Sequence, residues 1–500
     1  MNDVRINMNP NKLVNFLEKP PEEFTKKDIM KYIEKSQIEL VNFRYVGGDG
    51  RLKKLNFVIN SKSQIDRLLS AGERVDGSSL FPYIDAASSD LYVVPRFKTA
   101  FANPFSTIPA IDMLCSYYTS DGTPLPSSPE NVLKKAHETL KKQTGMDMHA
   151  MGELEYYVFG ARQVAYPLTS QKGYHESSPF SKYEKLRYEA MELIAEAGGV
   201  IKYGHSEVGS IVNEDAEMEQ HEIEFTPVPI EDAADQIVIA KWILRMIGFK
   251  YNVPISFAPK VLVGHAGSGL HVHSKLVKNG KNMLVKNEKL SDIARKTIAG
   301  YLSLASSLTA FGNTVPLSYL RLVPHQEAPT NICWGDRNRS VLVRVPLGWL
   351  GIKNMSKDAN PQEPEGARDA TEYQTVEFRS PDGSANIYLL LAGLAVAAKH
   401  GLQEMDEPLE YADSLYVDVN VFDDEKLQER LPQLPSSCAE SAEKLLVDRA
   451  IYENDGVFSP VLIDGTVEML RGYNDKSLSE DLYGKHEEVA ALVSEYLHCM

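Results

Sequence analysis

The chain has 500 residues, more than one ordinary hydrophobic core accommodates, so we expect two or more domains. Its 43% hydrophobic and 24% charged residues are typical of a globular protein, and its net charge of −16 argues against general nucleic-acid binding. Four widely spaced cysteines without a CxxC pair predict free thiols in a reducing cytoplasm, not a disulfide or zinc framework.

The first 125 residues predict an extension followed by a small α+β domain. Residues 1–27 are polar and contain "KPPEEF", so we expect an extension or a short helix packed outside the core. They hold no apolar run of signal-peptide length, and no export is indicated. Alternating apolar residues on both sides of "GGDG" predict a β-hairpin. The first domain is therefore expected over residues 28–125.

A domain boundary near residue 126 is indicated by "TSDGTPLPSSPEN", which is rich in Pro, Gly and Ser. Ser128 and Pro129 fit the start of a helix that Gly145 ends. Beyond it, short strands alternate with helices, expected at 182–198, 229–249 and 290–310, which predicts a second domain over residues 126–500. The apolar run from Ile387 to Ala398 is shorter than the ~20 residues of a membrane span and predicts a buried helix.

Several predicted strands of this second domain carry ionisable residues at every second position. In "MGELEYYVF", Glu153 and Glu155 lie on one face of a strand, where two like charges repel. Three further segments repeat the pattern with Glu222 and Glu224, His271 and His273, and Glu377 and Arg379. For any single segment, a sheet with one solvated face is the better explanation. Together, Glu and His lining a cavity would favour Mg²⁺ or Mn²⁺ over Zn²⁺.

An arginine-rich segment, "LRLVPHQEAPTNICWGDRNRSVLVRVP", stands out in an acidic protein. Surface salt bridges explain any one of its arginines equally well. Beside metal-bound carboxylates, however, guanidinium groups bind phosphate or carboxylate substrates. The turn "GHAGSGLH" lets backbone amides approach a small substrate closely. No P-loop and no GxGxxG motif occurs, so neither nucleotide-binding fold is expected.

Five blocks in this order resemble the glutamine synthetase family, type I: "VDGSSLF", "GELEYYVF", "SEVGS…EQHEIEF", "HAGSGLHVH" and "RLVPHQEAPTNICWGDRNRS…VEFRSPDGSANIYL". The resemblance spans nearly the whole chain from about residue 28. It implies an α+β fold, with an N-terminal β-grasp domain followed by a glutamine synthetase/guanido kinase-like catalytic domain built on a curved antiparallel sheet. It also implies ATP-dependent ligation of ammonium to the γ-carboxylate of L-glutamate through γ-glutamyl phosphate, for nitrogen assimilation in the cytoplasm.

The resemblance further implies two divalent cations, Mg²⁺ or Mn²⁺, in each active site. The ligands implied for the first are Glu155, Glu207 and Glu222. Those implied for the second are Glu153, His271 and Glu377.

The remaining site residues are implied in the same way. Those that resemble L-glutamate contacts are Arg321, Arg379 and Gly267, and those that resemble nucleotide and phosphate contacts are His273, Arg339 and Arg344, with Arg339 also catalytic. Asp76, with Ser79 nearby, resembles an ammonium-binding aspartate that reaches into the site of a neighbouring subunit. Glu327 resembles a flap carboxylate that contacts the substrate and closes the site.

The implied assembly is a homo-dodecamer of two stacked hexameric rings whose active sites are shared between neighbours. Its partners would be ATP, L-glutamate and ammonium, with no nucleic acid and no membrane.

Three departures from the family pattern keep alternatives open. The segment between Glu207 and Glu222 is longer than usual, His265–Ala266 replaces an acidic residue followed by Asn, and Arg96 replaces an aspartate. One alternative is a γ-glutamyl ligase for a larger amine such as a polyamine, against which Asp76 argues. Another is an inactive regulatory relative, against which the six filled metal positions argue.

Overall fold

The computed structural model describes residues 8–214, 216–323, 328–348, 355–364, 370–482 and 485–499. The N-terminal region folds around a six-stranded sheet in the order β2-β1-β6-β4-β3, with β5 beside β6. Its strands are β1 (Leu40–Val46), β2 (Leu52–Val58), β3 (Glu73–Asp76), β4 (Asp90–Pro95), β5 (Phe101–Ala102) and β6 (Ala110–Tyr118). The predicted hairpin is confirmed as the antiparallel β1–β2 pair, while β6 runs parallel to β1. This is the β-grasp part of the predicted fold.

The expectation that the extension packs outside the core is wrong. Residues Lys12–Leu17 form a short helix, and the Asn11 side chain accepts a hydrogen bond from the backbone N–H of Leu13 at 2.8 Å, capping it. Leu13, Val14 and Leu17 are buried in the same apolar cluster as the β-grasp sheet. Burying three aliphatic side chains stabilises the packed helix by about 1.5–3 kcal/mol for each one fully removed from water.

The second sheet has ten strands and carries the candidate site. Its main path runs β16-β17-β18-β12-β7-β9-β8, and all neighbours on it are antiparallel except β16 and β17. The strands of the path are β7 (Asp147–Ala161), β8 (Ile201–Val212), β9 (Ala216–Phe225), β12 (Leu270–Lys278), β16 (Trp334–Asp336), β17 (Val343–Val345) and β18 (Val376–Phe378). The shorter strands attached to it are β10 (Val228–Pro229), β11 (Ile255–Ser256) and β13 (Lys281–Asn282), and a separate pair is β14 (Val285–Lys286) and β15 (Lys289–Leu290).

Helices surround both sheets, in part as predicted. Those of the N-terminal region, besides Lys12–Leu17, are Lys26–Lys35 and Lys62–Ala71. Those that follow are Pro129–Thr144, Glu184–Glu196, Ile230–Tyr251, Asp292–Ser303, Ala305–Gly312, Pro316–Arg321 and Met355–Ala359. The C-terminal helices are Ile387–Gln403, Pro408–Ser414, Glu425–Arg430, Cys438–Glu453, Pro460–Gly472, Leu478–Asp481 and His486–Tyr496. The single helix expected over residues 290–310 is two helices, because the chain leaves helical geometry at Leu304.

Two further predictions about apolar and sulfur-containing residues are confirmed. Helix Ile387–Gln403 is buried along nearly its whole length, and no helix among the described residues is long and apolar enough to cross a membrane. The four cysteines are free and buried. A large apolar cluster in the second region joins this helix to the inner face of β7 and β12, and a separate smaller cluster contains Tyr157 and Leu317.

Arg96, one of the departures from the family pattern, joins the two regions. Its guanidinium group donates two hydrogen bonds to the Asp235 carboxylate, at 2.6 and 2.8 Å, and Tyr388 Oη donates a third at 2.7 Å. The ion pair is mostly buried, with side-chain exposures of 20% and 10%. Breaking such a pair leaves a desolvated carboxylate without its cation.

We expect Arg96→Ala to lower the free energy of unfolding by about 3 kcal/mol, measured by urea denaturation. Lys141→Ala is the control, because Lys141 makes an exposed ion pair with Asp147 at 2.7 Å that should contribute less than about 1 kcal/mol. Equal stability of the two variants would mean that the Arg96–Asp235 pair does not hold the two regions together.

Candidate active site

A cavity of about 870 Å³ opens over one face of the second sheet. The predicted site residues that line it are Glu153, Glu155, Glu207, Glu222, Gly267, His271, His273, Arg321, Arg339, Arg344, Glu377 and Arg379. On the opposite face of β7, Ile237 of helix Ile230–Tyr251 packs against Gly152. The sheet therefore has one apolar face against helices and one polar face against the cavity.

Strand register explains why these side chains meet. Glu153 on β7 lies opposite His271 on β12, and Glu155 lies opposite Glu222 on β9. His273 lies opposite Glu377 on β18. Since residues two apart share a face, pairing these strands in this register collects their charged side chains on one surface.

The first cluster is formed by Glu153, His273 and Glu377, whose ligand atoms lie within 4.8 Å of one another. Oε1 of Glu153 lies 2.9 Å from Nε2 of His273, and its Oε2 lies 3.0 Å from Nδ1 of His271. His271 Nδ1 also lies 3.6 Å from Oε1 of Glu377. Burial raises the pKa of Glu153, but the His273 charge and the imidazole hydrogen bonds outweigh burial and hold the pKa well below its usual range.

The second cluster is formed by His205, Glu207 and Glu222, again within 4.8 Å. Nε2 of His205 lies 2.8 Å from Oε2 of Glu222. Burial, followed by the charges of the surrounding glutamates, raises the pKa of Glu222 well above its usual value. A bound cation would relieve this repulsion, so the donors of both clusters fit hard divalent metals.

Glu155 lies beside the second cluster, held by hydrogen bonds of its own. Its Oε2 accepts from the Gly269 backbone N–H at 2.7 Å and from Gln220 Nε2 at 3.0 Å. Its Oε1 lies 3.9 Å from His271 Nε2, between the two clusters. Glu155 is thus close to the predicted metal position and is oriented by β12 and β9.

The arginines approach the same carboxylates. Arg344 Nη1 donates to Oε2 of Glu377 at 2.9 Å, and Arg379 Nη1 donates to its Oε1 at 3.0 Å. Burial raises the pKa of Glu377, and the charge of Arg379 does most to lower it below its usual value. Arg321 is 2% exposed, donates to the Ser380 carbonyl at 2.7 Å and lies 3.3 Å from His271 Nε2. Two guanidinium groups therefore pair with the Glu377 carboxylate, and a third lies beside His271.

The backbone of the glycine-rich turn approaches its surroundings closely at Gly267. A Cβ atom there would lie 2.3 Å from the Pro259 carbonyl oxygen and 3.0 Å from Cγ of Arg321. The Gly267 carbonyl accepts a hydrogen bond from Gln220 Nε2 at 3.0 Å. Only glycine fits this position without moving the turn or Arg321.

We expect Gly267→Ala to lower kcat/KM for L-glutamate, the substrate that the family resemblance implies, by about 10²-fold, because the turn and Arg321 shift by an appreciable fraction of an ångström. Gly472→Ala is the matched control, since a Cβ there meets nothing within 4 Å. Steady-state kinetics together with a thermal unfolding curve separate loss of function from loss of fold. An active Gly267→Ala protein would show that this contact is easily relieved.

Some cavity residues were not predicted from the sequence. They are Tyr174, Lys202, Tyr203, His205, Gln220, Lys275, Glu372 and Tyr373, whereas Glu224 belongs to the predicted alternating pattern. For His205 a signal was present, because "HSE" places it two residues before Glu207, and the same spacing places Lys275 two residues after His273. Tyr174 comes from the segment between β7 and β8, which carried no pattern.

Two predicted residues, Asp76 and Ser79, do not line this cavity within one chain. Asp76 is exposed at the end of β3 and, like Ser79, is not among the residues that line the cavity. The Asp76 carboxylate accepts hydrogen bonds from Ser79 Oγ at 2.6 Å and Ser78 Oγ at 2.7 Å, which lower its pKa. Glu327 lies outside the described residues.

Together, the β-grasp sheet and a second sheet lined with arginines, glutamates and histidines define the class of fold, and the second sheet carries donors that fit divalent metals. The family model "Glutamine synthetase, beta-Grasp domain" matches residues 37–120, and "Glutamine synthetase, catalytic domain" matches residues 126–472. The chain belongs to the glutamine synthetase family.

Individual relatives agree with this membership. The chain is 31% identical over 424 residues to glutamine synthetase of Pyrococcus furiosus, covering 84% of this chain and 87% of that one. It is 29% identical over 489 residues to glutamine synthetase of Mycolicibacterium smegmatis, covering 90% and 95%.

Two solved structures show similarity of fold alone. The cryo-EM structure of Plasmodium falciparum glutamine synthetase has a TM-score of 0.73 at 20% identity, covering 93% of this chain and 97% of that one. GmaS in complex with ADP has a TM-score of 0.72 at 18% identity, covering 93% and 99%.

Proposed function

We propose that this protein joins ammonium to the γ-carboxylate of L-glutamate, converting ATP to ADP and phosphate and producing L-glutamine. The observation that carries the proposal is the meeting, in one cavity, of two glutamate–histidine clusters with Arg321, Arg339, Arg344 and Arg379. Membership of the glutamine synthetase family supports it. The proposed enzyme consists of the β-grasp domain over residues 28–125 and the catalytic domain over residues 126–500, after an N-terminal extension.

The first chemical step makes the glutamate carboxylate reactive. Mg²⁺ or Mn²⁺ bound by the predicted ligand sets, Glu155–Glu207–Glu222 and Glu153–His271–Glu377, would offset the charge of the ATP phosphates. His273, Arg339 and Arg344 orient the nucleotide and its phosphates. The γ-carboxylate oxygen of glutamate then attacks the terminal phosphorus, the bond to ADP breaks, and γ-glutamyl phosphate forms.

The glutamate itself is held by the arginines on the other side of the cavity. Arg321 and Arg379 contact its charged groups, since guanidinium pairs well with carboxylate. Gly267 lets the backbone of its turn approach the α-carbon end of the substrate. Fixing both ends of glutamate places its γ-oxygen in line with the phosphate.

The second step uses ammonium. We propose that Asp76, with Ser79, reaches across from a neighbouring subunit of a homo-dodecamer and, with Glu327, attracts the cation. A carboxylate accepts one proton, and the resulting ammonia attacks the acyl carbon while phosphate leaves. Closure at Glu327 keeps water from hydrolysing the intermediate. This chemistry would take place in the cytoplasm.

The experiment is ADP release by the purified protein with Mg²⁺, ATP and L-glutamate, with and without ammonium, and with chemical identification of the product. Ammonium-dependent turnover that produces glutamine is the expected result. Turnover with methylamine or a polyamine but not with ammonium would instead identify a γ-glutamyl ligase for a larger amine. No turnover with any amine, although metal and ATP bind, would indicate an inactive relative.

A further inference from the structure

A second cavity, of about 320 Å³, lies on the other side of β12 from the catalytic cavity. Leu270 lines this second cavity and the next residue, His271, lines the first, because successive strand residues face opposite ways. Its walls come from the turn of the β1–β2 hairpin, from helix Ile230–Tyr251 and from residues near the C-terminal end of the chain. No step of the proposed reaction uses these residues.

Among the charged residues that line this cavity, Lys241 is buried, with 8% of its surface exposed. Its Nζ donates to the Gly383 carbonyl oxygen at 2.6 Å and lies 5.2 Å from the centroid of the Phe257 ring. Within the described part of the chain, no carboxylate oxygen lies within 4.0 Å of Lys241 Nζ, the distance limit for an ion pair. Burial, and then the charge of Arg245, lower the pKa of Lys241 to about 7.

Two arginines add positive charge around Lys241. Arg245 Nη2 donates to the Cys499 carbonyl at 3.0 Å, and Arg51 Nη2 donates to the His498 carbonyl at 3.2 Å. The acidic groups that raise the pKa of Lys241 are the Cys499 thiol and then the buried Asp382 carboxylate, which itself accepts hydrogen bonds from Asn313 and Ser384. The cavity is therefore cationic at one end.

The rest of the lining is mostly apolar, provided by Leu52, Ile237, Val238, Trp242, Leu270, Ala385 and Ile387. Proteins rarely bury a lysine without an anionic partner, because an unpaired charge is costly to desolvate. A phosphate or sulfate would leave the apolar walls unused. We propose that this cavity binds a small carboxylate, with its anionic end at Lys241 and Arg245 and its apolar body against Trp242 and Ile387.

The test uses benzoate as the probe and benzamide, its neutral isostere, as the control ligand, with the full chain at constant ionic strength. We expect benzoate at ten times its Kd to raise the Tm by about 2 °C, and benzamide to leave it unchanged. Benzoate should also change the fluorescence of Trp242, which contacts the cavity.

Variants assign the response to this cavity. Lys241→Met should abolish the benzoate response and, without benzoate, unfold at the same or a higher temperature than the wild type, since it removes a buried unpaired charge. Lys250→Met should retain the response, because Lys250 is on the same helix but is exposed and paired with Glu189. If Lys241→Met fails to fold, Arg51→Met, at the exposed edge, should weaken benzoate binding several-fold.

Three results would overturn the proposal. They are no response of the wild type to benzoate, an equal response to benzamide, and an unchanged benzoate response in both Lys241→Met and Arg51→Met. Each of these readouts is independent of glutamine formation, so its failure leaves the proposed reaction unaffected.

Discussion

Glu222→Gln is expected to lose ammonium-dependent glutamine formation by about 10³-fold or more, because it removes a charged group from the cluster proposed to hold a divalent metal. The side chain keeps its size, so packing is preserved. Glu222 is 6% exposed and lies next to His205 and Glu207. Steady-state kinetics with Mg²⁺ measure the loss.

The same substitution should raise the thermal stability of the metal-free protein. Burial and neighbouring glutamates raise the pKa of Glu222 in the folded state, so its ionised form is less favourable there than in the unfolded chain. Stability linked to Glu222 is therefore fully present below the ordinary glutamate pKa and is lost as the pH rises through the higher folded value. The amide side chain of the Glu222→Gln variant does not ionise, so the variant avoids this loss of folding stability at neutral pH.

Unfolding of the metal-free protein between pH 5 and 8 in a chelating buffer checks this sign, with Glu138→Gln, on an exposed helix face, as the control. We expect Glu222→Gln to be more stable than the wild type at pH 8 and the difference to shrink toward pH 5. A metal-free Glu222→Gln protein that is less stable at both pH values would show that Glu222 is ionised and well paired, contrary to the structure.

Much of this site could be predicted because strand periodicity is a local property. Once "MGELEYYVF" is a strand, Glu153 and Glu155 must share a face, and the same holds for His271 and His273. Pairing β12 with β7 on one side and with β18 on the other, each in the correct register, then produces the first cluster. Which imidazole lies closer to Glu377 depends on side-chain rotamers, which periodicity does not specify.

The position of Glu207 is harder to predict than that of His205, because His205 lies directly opposite Glu222 whereas Glu207 lies in an irregular pairing. β8 and β9 shift register between Ser206 and Ser210, which displaces Glu207 relative to Glu222. The Gln220 side chain accepts a hydrogen bond from the Gly209 N–H at 3.0 Å inside this irregularity. No single segment of sequence specifies a bulge whose geometry depends on the opposing strand.

Two features of the fold also depend on tertiary packing, which the local sequence does not specify. Helix Lys12–Leu17 has six residues, too few to be stable alone, and forms because its apolar side chains fill a space beside the β-grasp sheet. The break at Leu304 divides two helices whose sequences are both helical and apolar. Composition predicts that both stretches are buried, but not where the first helix ends.

Mixing two inactive variants should restore activity if each active site is shared between neighbouring subunits. Asp76→Ala lacks the proposed ammonium-binding carboxylate, and Glu153→Gln lacks a proposed metal ligand, so each alone should be inactive. The two variants are unfolded and refolded together in equal amounts. In a head-to-tail ring, a site is intact only when the Asp76→Ala chain supplies Glu153 and the neighbouring Glu153→Gln chain supplies Asp76. Since this is one of four equally frequent neighbour pairs, the mixture should regain about a quarter of wild-type turnover.

The position of Asp76 requires a second subunit for this role. It is exposed at the edge of the β-grasp sheet, is held by Ser78 and Ser79, and does not line the cavity of its own chain. The Asp76 carboxylate can therefore bind ammonium at a catalytic cavity only if that cavity belongs to a neighbouring subunit. Refolding each variant with itself is the control. Recovery in the mixture alone supports a shared site, whereas an active Asp76→Ala protein or an inactive mixture places ammonium binding within one chain.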